Sequence, residues 1–249
     1  MTPSRLHDLG HRELFSHDFA LLNPVRIPED RWQDLPVVPL RAPVFAAQPH
    51  LVPRLLPLRA LDDDCQVELL ERNGRHCVET GQPLFCALLA SRLDAQPVAG
   101  ALGARMVVRT PAGQAAWLRF HDPRVFSALA WWLEPGQLRC MLGPVQSWSW
   151  FDPRDGQWQC IERPGADGRD TARLRLTAAQ WARLGRLPAV NRCLKMLARD
   201  GASPRPLRPL VERLDALLEQ AAAAGLPEPD APRLRQWMHA GIPHTEEHA

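Results

Sequence analysis

The block from Trp117 to Trp148 constrains the fold more than any other part of the chain, because it carries strand, cap, stop and turn signals in immediate succession. Ala115 to Phe120 alternates apolar and polar residues, as a half-buried strand does. Asp122-Pro123 then offers a carboxylate cap followed by a proline at the first helical position, where no backbone donor is needed. The pattern predicts a helix from Arg124 to about Leu133 with Val125, Phe126, Leu129, Trp132 and Leu133 on its apolar side. Glu134-Pro135 stops that helix and starts a shorter one through Gln137, Leu138 and Met141. Gly143-Pro144 turns the chain toward Trp148.

Upstream, prolines at 36, 39, 43, 49, 53 and 57 predict short edge strands and extended connections, since each removes a ladder donor. Phe19 to Leu22, Val37 to Leu40 and Leu51 to Leu58 are the apolar runs between them. Asp64 is expected to cap a helix through Val67, Leu69 and Leu70 that ends at Asn73-Gly74. Leu84 to Ala90 reads as a buried strand. Ser91 is expected to cap a helical stretch toward Leu102, interrupted by Pro97. Met106 to Arg109 and Ala115 to Phe120 form a predicted hairpin across Thr110 to Gly113.

Beyond the block, Val145 to Phe151 and Gln157 to Glu162 read as a hairpin around Asp152-Pro153-Arg154, a tripeptide with only a turn behind it. Arg163 to Asp170 is a polar, glycine-containing connection, and the expected division lies there: a mixed α/β lobe with a small sheet over 1–165 and a helical lobe over 166–249, an α+β chain. Thr177 to Gln180 is a capping box leading Trp181, Leu184 and Leu187 along one helix face, continued by Asn191 to Ala198. After the loop Gly201 to Pro206, Leu210, Leu214, Leu217 and Leu218 predict an amphipathic helix. A last short helix carries Leu234, Trp237 and Met238, and the tail from Gly241 is expected to be loose.

With 249 residues, 45% of them hydrophobic, the chain can bury a sizeable core. Thirty basic against 28 acidic residues give no strong field for nucleic acid or anionic lipid. The basic set is arginine apart from Lys195, which coding bias explains better than function. Six scattered cysteines lack any metal-ligand spacing and read as reduced thiols. The polar start of the chain (Ser4, Arg5, His7, Asp8) and the absence of a long apolar run predict a cytoplasmic protein without membrane insertion.

No nucleophile elbow, phosphate loop, dinucleotide fingerprint or zinc-protease helix occurs. His121 beside Asp122 is a conceivable acid/base pair, and His50, His76 and His121 are conceivable ligands, but no third partner has recognisable spacing; no catalytic, metal or cofactor site is expected. Asp62-Asp63-Asp64 reads as a charge cluster at a helix start rather than a cation loop. Arg124 has two readings: a bidentate pair that fixes the strand-to-helix corner, or an exposed reader of a partner's acidic group. Asp122 and Pro123 beside it favour the corner. Trp131 and Trp132 cannot share a helix face, so one is expected outward, as an interface anchor or against the last helices. Balanced charge and the lack of tyrosine weigh against a nucleic-acid platform.

The block resembles the signature of the adaptor (chaperone) proteins that load toxic effectors onto the bacterial type VI secretion spike, the family described as domain of unknown function 4123. The matching residues are Phe120, Asp122, Pro123, Arg124, Val125, Gln137, Leu138, Gly143, Pro144 and Trp148. Phe19 to Leu22, Pro49 to Val52 and Leu88 to Ser91 are similar to the family's upstream segments, so the resemblance covers roughly residues 14–150. His121 stands where the family has tyrosine, Met141-Leu142 replace a phenylalanine pair, and a Trp-Gly pair near residues 76–82 is absent. The resemblance implies a non-enzymatic protein whose partners are a toxic effector, held through its N-terminal segment, and the VgrG spike protein. In that picture the signature residues are structural, the helical tail chooses the effector, and Trp131, Trp132, Trp181, Leu210, Leu214 and Trp237 are candidate partner contacts. Two other readings stand beside it: a small hydrolase or transferase with a site around His121, Asp122 and Arg124, and an immunity or regulatory protein that binds a toxin.

Overall fold

Apolar runs too short for a helix, several of them closed by prolines, line up as strands. The strands are β1 (Ser4–Leu6), β2 (Phe19–Leu22), β3 (Val38–Pro39), β4 (Arg54–Pro57), β5 (Ala87–Ala90), β6 (Val107–Arg109), β7 (Ala115–Trp117), β8 (Ser147–Asp152) and β9 (Gln157–Glu162). In this computed structural model, residues 4–6, 10–41, 45, 47–165, 173–200 and 206–242 are described. Seven strands form one antiparallel sheet in the order β1-β9-β8-β5-β2-β4-β3, while β6 and β7 form a separate two-stranded ribbon. The predicted hairpins at 106–120 and 145–162 are both present, the first ending at Trp117.

The helices are α1 (His11–Phe15), α2 (Asp63–Thr80), α3 (Ala95–Arg105), α4 (Pro123–Trp132), α5 (Pro135–Leu142), α6 (Ala178–Arg199), α7 (Leu207–Ala223) and α8 (Ala231–Ala240). Side-chain alternation gives the sheet two apolar faces. Ala20, Leu22, Leu56 and Leu88 pack with Leu69 of α2 on one face. On the other, Trp148 and Trp150 of β8 meet Phe126 of α4, whose ring lies 4.6 Å from that of Trp148 at an interplanar angle of 8°.

Two helices, α2 and α3, differ from the sequence reading. Helix α2 is capped by Asp62, which accepts from the Cys65 N–H at 2.8 Å, and it runs through Asn73-Gly74 to a left-handed Gly81. Asn73 does not end the helix because its side chain turns inward and accepts the Leu84 N–H at 2.9 Å. Helix α3 begins after Asp94 and is not interrupted by Pro97, which lies in the first turn, where backbone donors have no helical acceptor. Ser91 instead donates to the Pro144 carbonyl at 3.0 Å. Helix α6 is continuous through Pro188. The strand expected over Leu84 to Ala90 is confined to β5.

The chain divides into two compact units, Met1–Leu176 and Thr177–Ala249. Residues 173–176 stay with the first because Leu174 and Leu176 are buried and Arg175 makes an isolated parallel bridge with Arg109. Most of the expected connection at 163–170, most of the loop at 201–206, His7 and Asp8 in the polar start, and the tail beyond Ile242 lie outside the described residues. The second unit is a helical array in which α6 packs on α7 and α8. Leu217, Ala221 and Trp237 form its apolar centre, and buried Asp215 accepts from Arg183 Nε and Arg186 Nε at 2.9 and 2.8 Å. Among the described residues no helix is long and apolar enough to cross a membrane.

Candidate functional site

The corner between β7 and α4 is built by one tripeptide. Asp122 caps α4 by accepting the Arg124 N–H at 3.1 Å, and the same carboxylate takes Arg124 Nε at 3.0 Å and Nη2 at 2.7 Å. Proline between them holds the backbone so that cap and ion pair close together. Burial opposes ionisation of Asp122, but the hydrogen bonds and charge of Arg124, with Arg26 nearby, outweigh it and hold the carboxyl below its ordinary range. Its bond to Asp122 raises Arg124 in turn. Of the two readings of Arg124, the structure has the corner pair.

A second copy of this bracket, at Asp152-Pro153-Arg154, follows β8. Arg154 donates its N–H to Asp152 Oδ1 at 3.0 Å, Nε to the same oxygen at 2.9 Å and Nη2 to Oδ2 at 2.6 Å. Here both side chains are enclosed, 0% exposed for Asp152 and 7% for Arg154. Ser127 Oγ of α4 donates to Asp152 Oδ2 at 2.5 Å and accepts the Trp150 Nε1–H at 2.8 Å. The Arg154 guanidinium also lies 5.5 Å from the centre of the Trp131 ring, within cation–π range. A buried polar network therefore ties α4 to the β8–β9 hairpin. The sequence reading has Asp152-Pro153-Arg154 only as a turn and gives Ser127 no role; the recurrence of Asp-Pro-Arg was the available signal for the network.

The other signature residues serve the same lobe. Phe120 packs edge-on against Trp148, and Leu138 is buried. Val125 is half-buried. Gln137 Oε1 accepts the Glu134 N–H at 3.0 Å, while its Nε2 donates to the Arg175 carbonyl at 2.7 Å. Gly143 has φ of 57°, and a Cβ there would sit 2.6 Å from the Arg105 guanidinium. Of the candidate partner contacts, Trp131 is the outward member of its pair, half-buried under Arg154, whereas Trp132 is buried. Trp181 and Leu210 are half-buried. Leu214 and Trp237 are 0% and 1% exposed, so neither offers a contact surface, and Trp237 belongs to the apolar centre of the second unit.

His121 is 4% exposed, lies against Trp117 with ring centres 5.7 Å apart, and among the described residues has no hydrogen-bond partner at Nδ1. Burial pushes its pKa down to about 4, against the pull of Asp122, so the ring is neutral near pH 7. A cavity of about 350 Å³ nearby includes Arg26, His76, Cys86 and Pro123 in its lining. Burial lowers His76 and raises the Cys86 thiol, which donates to the Leu21 carbonyl at 3.1 Å. A thiol raised in this way is a poor nucleophile. Among the described residues no group of three or more His, Cys, Asp or Glu side chains could hold a metal ion.

Residues 41–140 match the family model described as "Domain of unknown function (DUF4123)". The matched stretch contains the Asp122–Arg124 corner and Gln137 and ends before Gly143. No curated protein and no solved structure matches the chain.

Proposed function

We propose that this chain is a non-enzymatic adaptor, which binds the N-terminal segment of a type VI secretion toxin in the cytoplasm and helps load it onto the VgrG spike. The observation that carries this reading is the state of the signature residues. Asp122 and Arg124 are paired with each other, and His121 is enclosed and neutral, so the corner offers a substrate neither an open base nor an unpaired charge. A motif committed to internal bonds fits a scaffold that presents other surfaces for binding. The match over residues 41–140 agrees with the signature-based resemblance without extending to the function itself.

The test is co-purification of the tagged chain expressed with the products of its neighbouring genes, above all any spike protein and large toxin among them. Stable retention of the toxin, lost when its N-terminal segment is deleted, is the expected result. A folded, monodisperse chain that retains neither protein would overturn the reading. Neutralisation of the toxin in the recipient cell, in place of a requirement in the attacking cell, would favour the immunity reading instead.

A further inference from the structure

A groove of about 690 Å³ runs along the β6–β7 ribbon beside residues 173–176, and four arginines, Arg105, Arg109, Arg173 and Arg175, line it. Among the described residues that line it, none is acidic or aromatic. The extended stretch 173–176 alternates, with Leu174 and Leu176 buried and Arg173 and Arg175 exposed. It touches β6 through the single bridge between Arg109 and Arg175.

Two signature residues build this groove. Gln137 holds the 173–176 stretch through the Arg175 carbonyl, and Gly143 leaves room for Arg105, whose Nε donates to the Cys140 carbonyl at 2.7 Å. Arg105 is thus a fixed wall. Arg109 donates to the Gly113 carbonyl at 2.9 Å. Among the described residues no carboxylate pairs with Arg109, Arg173 or Arg175, whereas Arg124 of the corner, Arg72 and Arg75 of α2, and Arg183, Arg186, Arg192, Arg208 and Arg235 of the second unit are matched to carboxylates.

We infer that this groove binds an extended acidic segment of a protein partner, its alternate carboxylates facing the arginines and its backbone lying along the ribbon. Charge complementarity selects the occupant, since planar guanidinium groups pair carboxylates in two-point contacts. The size lies within the range of ligand clefts. A single-stranded nucleic acid fits less well, because none of the described lining residues is aromatic, so bases have no ring among them to stack on. That the segment belongs to a carried toxin rests on the adaptor reading; the preference for an acidic strand does not.

The experiment is a fluorescence anisotropy titration of the full chain with a labelled peptide of about eight residues that alternates Glu with Thr or Val. Saturable binding that weakens as salt rises, with little binding of the same peptide carrying Gln for Glu, is expected. Arg173→Glu/Arg175→Glu should weaken it about tenfold or more, and Arg173→Gln/Arg175→Gln by less. Arg75→Glu, on α2, should leave it unchanged. Equal binding of the Glu and Gln peptides, equal affinity in the charge-reversed variant, or tighter binding of a single-stranded oligonucleotide would overturn the inference. In the co-purification, toxin retained equally by wild type and Arg173→Glu/Arg175→Glu removes the groove but leaves the adaptor reading intact. Acidic-peptide binding by a chain that retains no toxin does the reverse.

Discussion

At Asp152 one carboxylate receives Ser127 Oγ and three donor groups of Arg154, with no exposed surface of its own. Asp152→Ala would remove the carboxylate that holds buried Arg154, so unfolding should become easier by about 3–5 kcal/mol in a urea titration. Ser127→Ala should cost less, because it orphans hydrogen-bonding groups and leaves the ion pair in place. His121 sets a different dependence. Its folded pKa, about 4, lies below the ordinary 6.5, so as the pH falls the unfolded chain takes up the proton first. Stability contributed by the neutral ring is complete above pH 6.5 and declines down to about pH 4, by about 3 kcal/mol in all. Urea midpoints measured across that interval should show the decline in the wild type and a shallower one in His121→Phe. His76, lowered by burial in the same direction, contributes to what remains in that interval, whereas Asp122 and Asp34, both held low, lose their contribution only below pH 3.8, as the pH falls through their own depressed values.

Helix α3 approaches the end of β3 so closely that a Cβ on Gly103 would stand 2.4 Å from the Arg41 carbonyl oxygen. Backbone cannot swing aside as a side-chain tip does, and Gly103→Ala should lower stability by about 1–3 kcal/mol despite its better helix propensity, as thermal melts would register. Pro188 poses the opposite case. It lies exposed inside α6, removes one helical hydrogen bond and crowds the preceding turn. Pro188→Ala should therefore raise the melting temperature, by an amount corresponding to about 1–3 kcal/mol. These elements also mark where sequence reading works. Asp122-Pro123 and the Thr177 to Gln180 box announce their helices because cap and first turn are local. The length of α2 was not legible, since Asn73-Gly74 looks like a stop until the chain at Leu84 folds back to use the Asn73 amide. The Asp152–Arg154 bracket was legible as a turn but not as a network, because Ser127 and Trp131 reach it from another element. The groove depends likewise on Gln137 meeting Arg175, 38 residues away.

For the molecule as a whole, the division at Leu176 and Thr177 separates the unit that carries the signature from a helical unit with its own apolar centre. If the proposed adaptor reading holds and the helical unit chooses the effector, exchanging residues 177–249 between two proteins of this kind should exchange the toxins they retain in co-purification, with the spike partner unchanged. Unaltered toxin choice would assign selection to the first unit. The seven-stranded sheet ends in the three residues of β1 on one side and in Val38–Pro39 on the other. A rim so short, with a proline that lacks a donor, gives another chain almost nothing to extend. The main sheet therefore has little edge from which to seed a fibre, which leaves association to surfaces that discriminate by side chain.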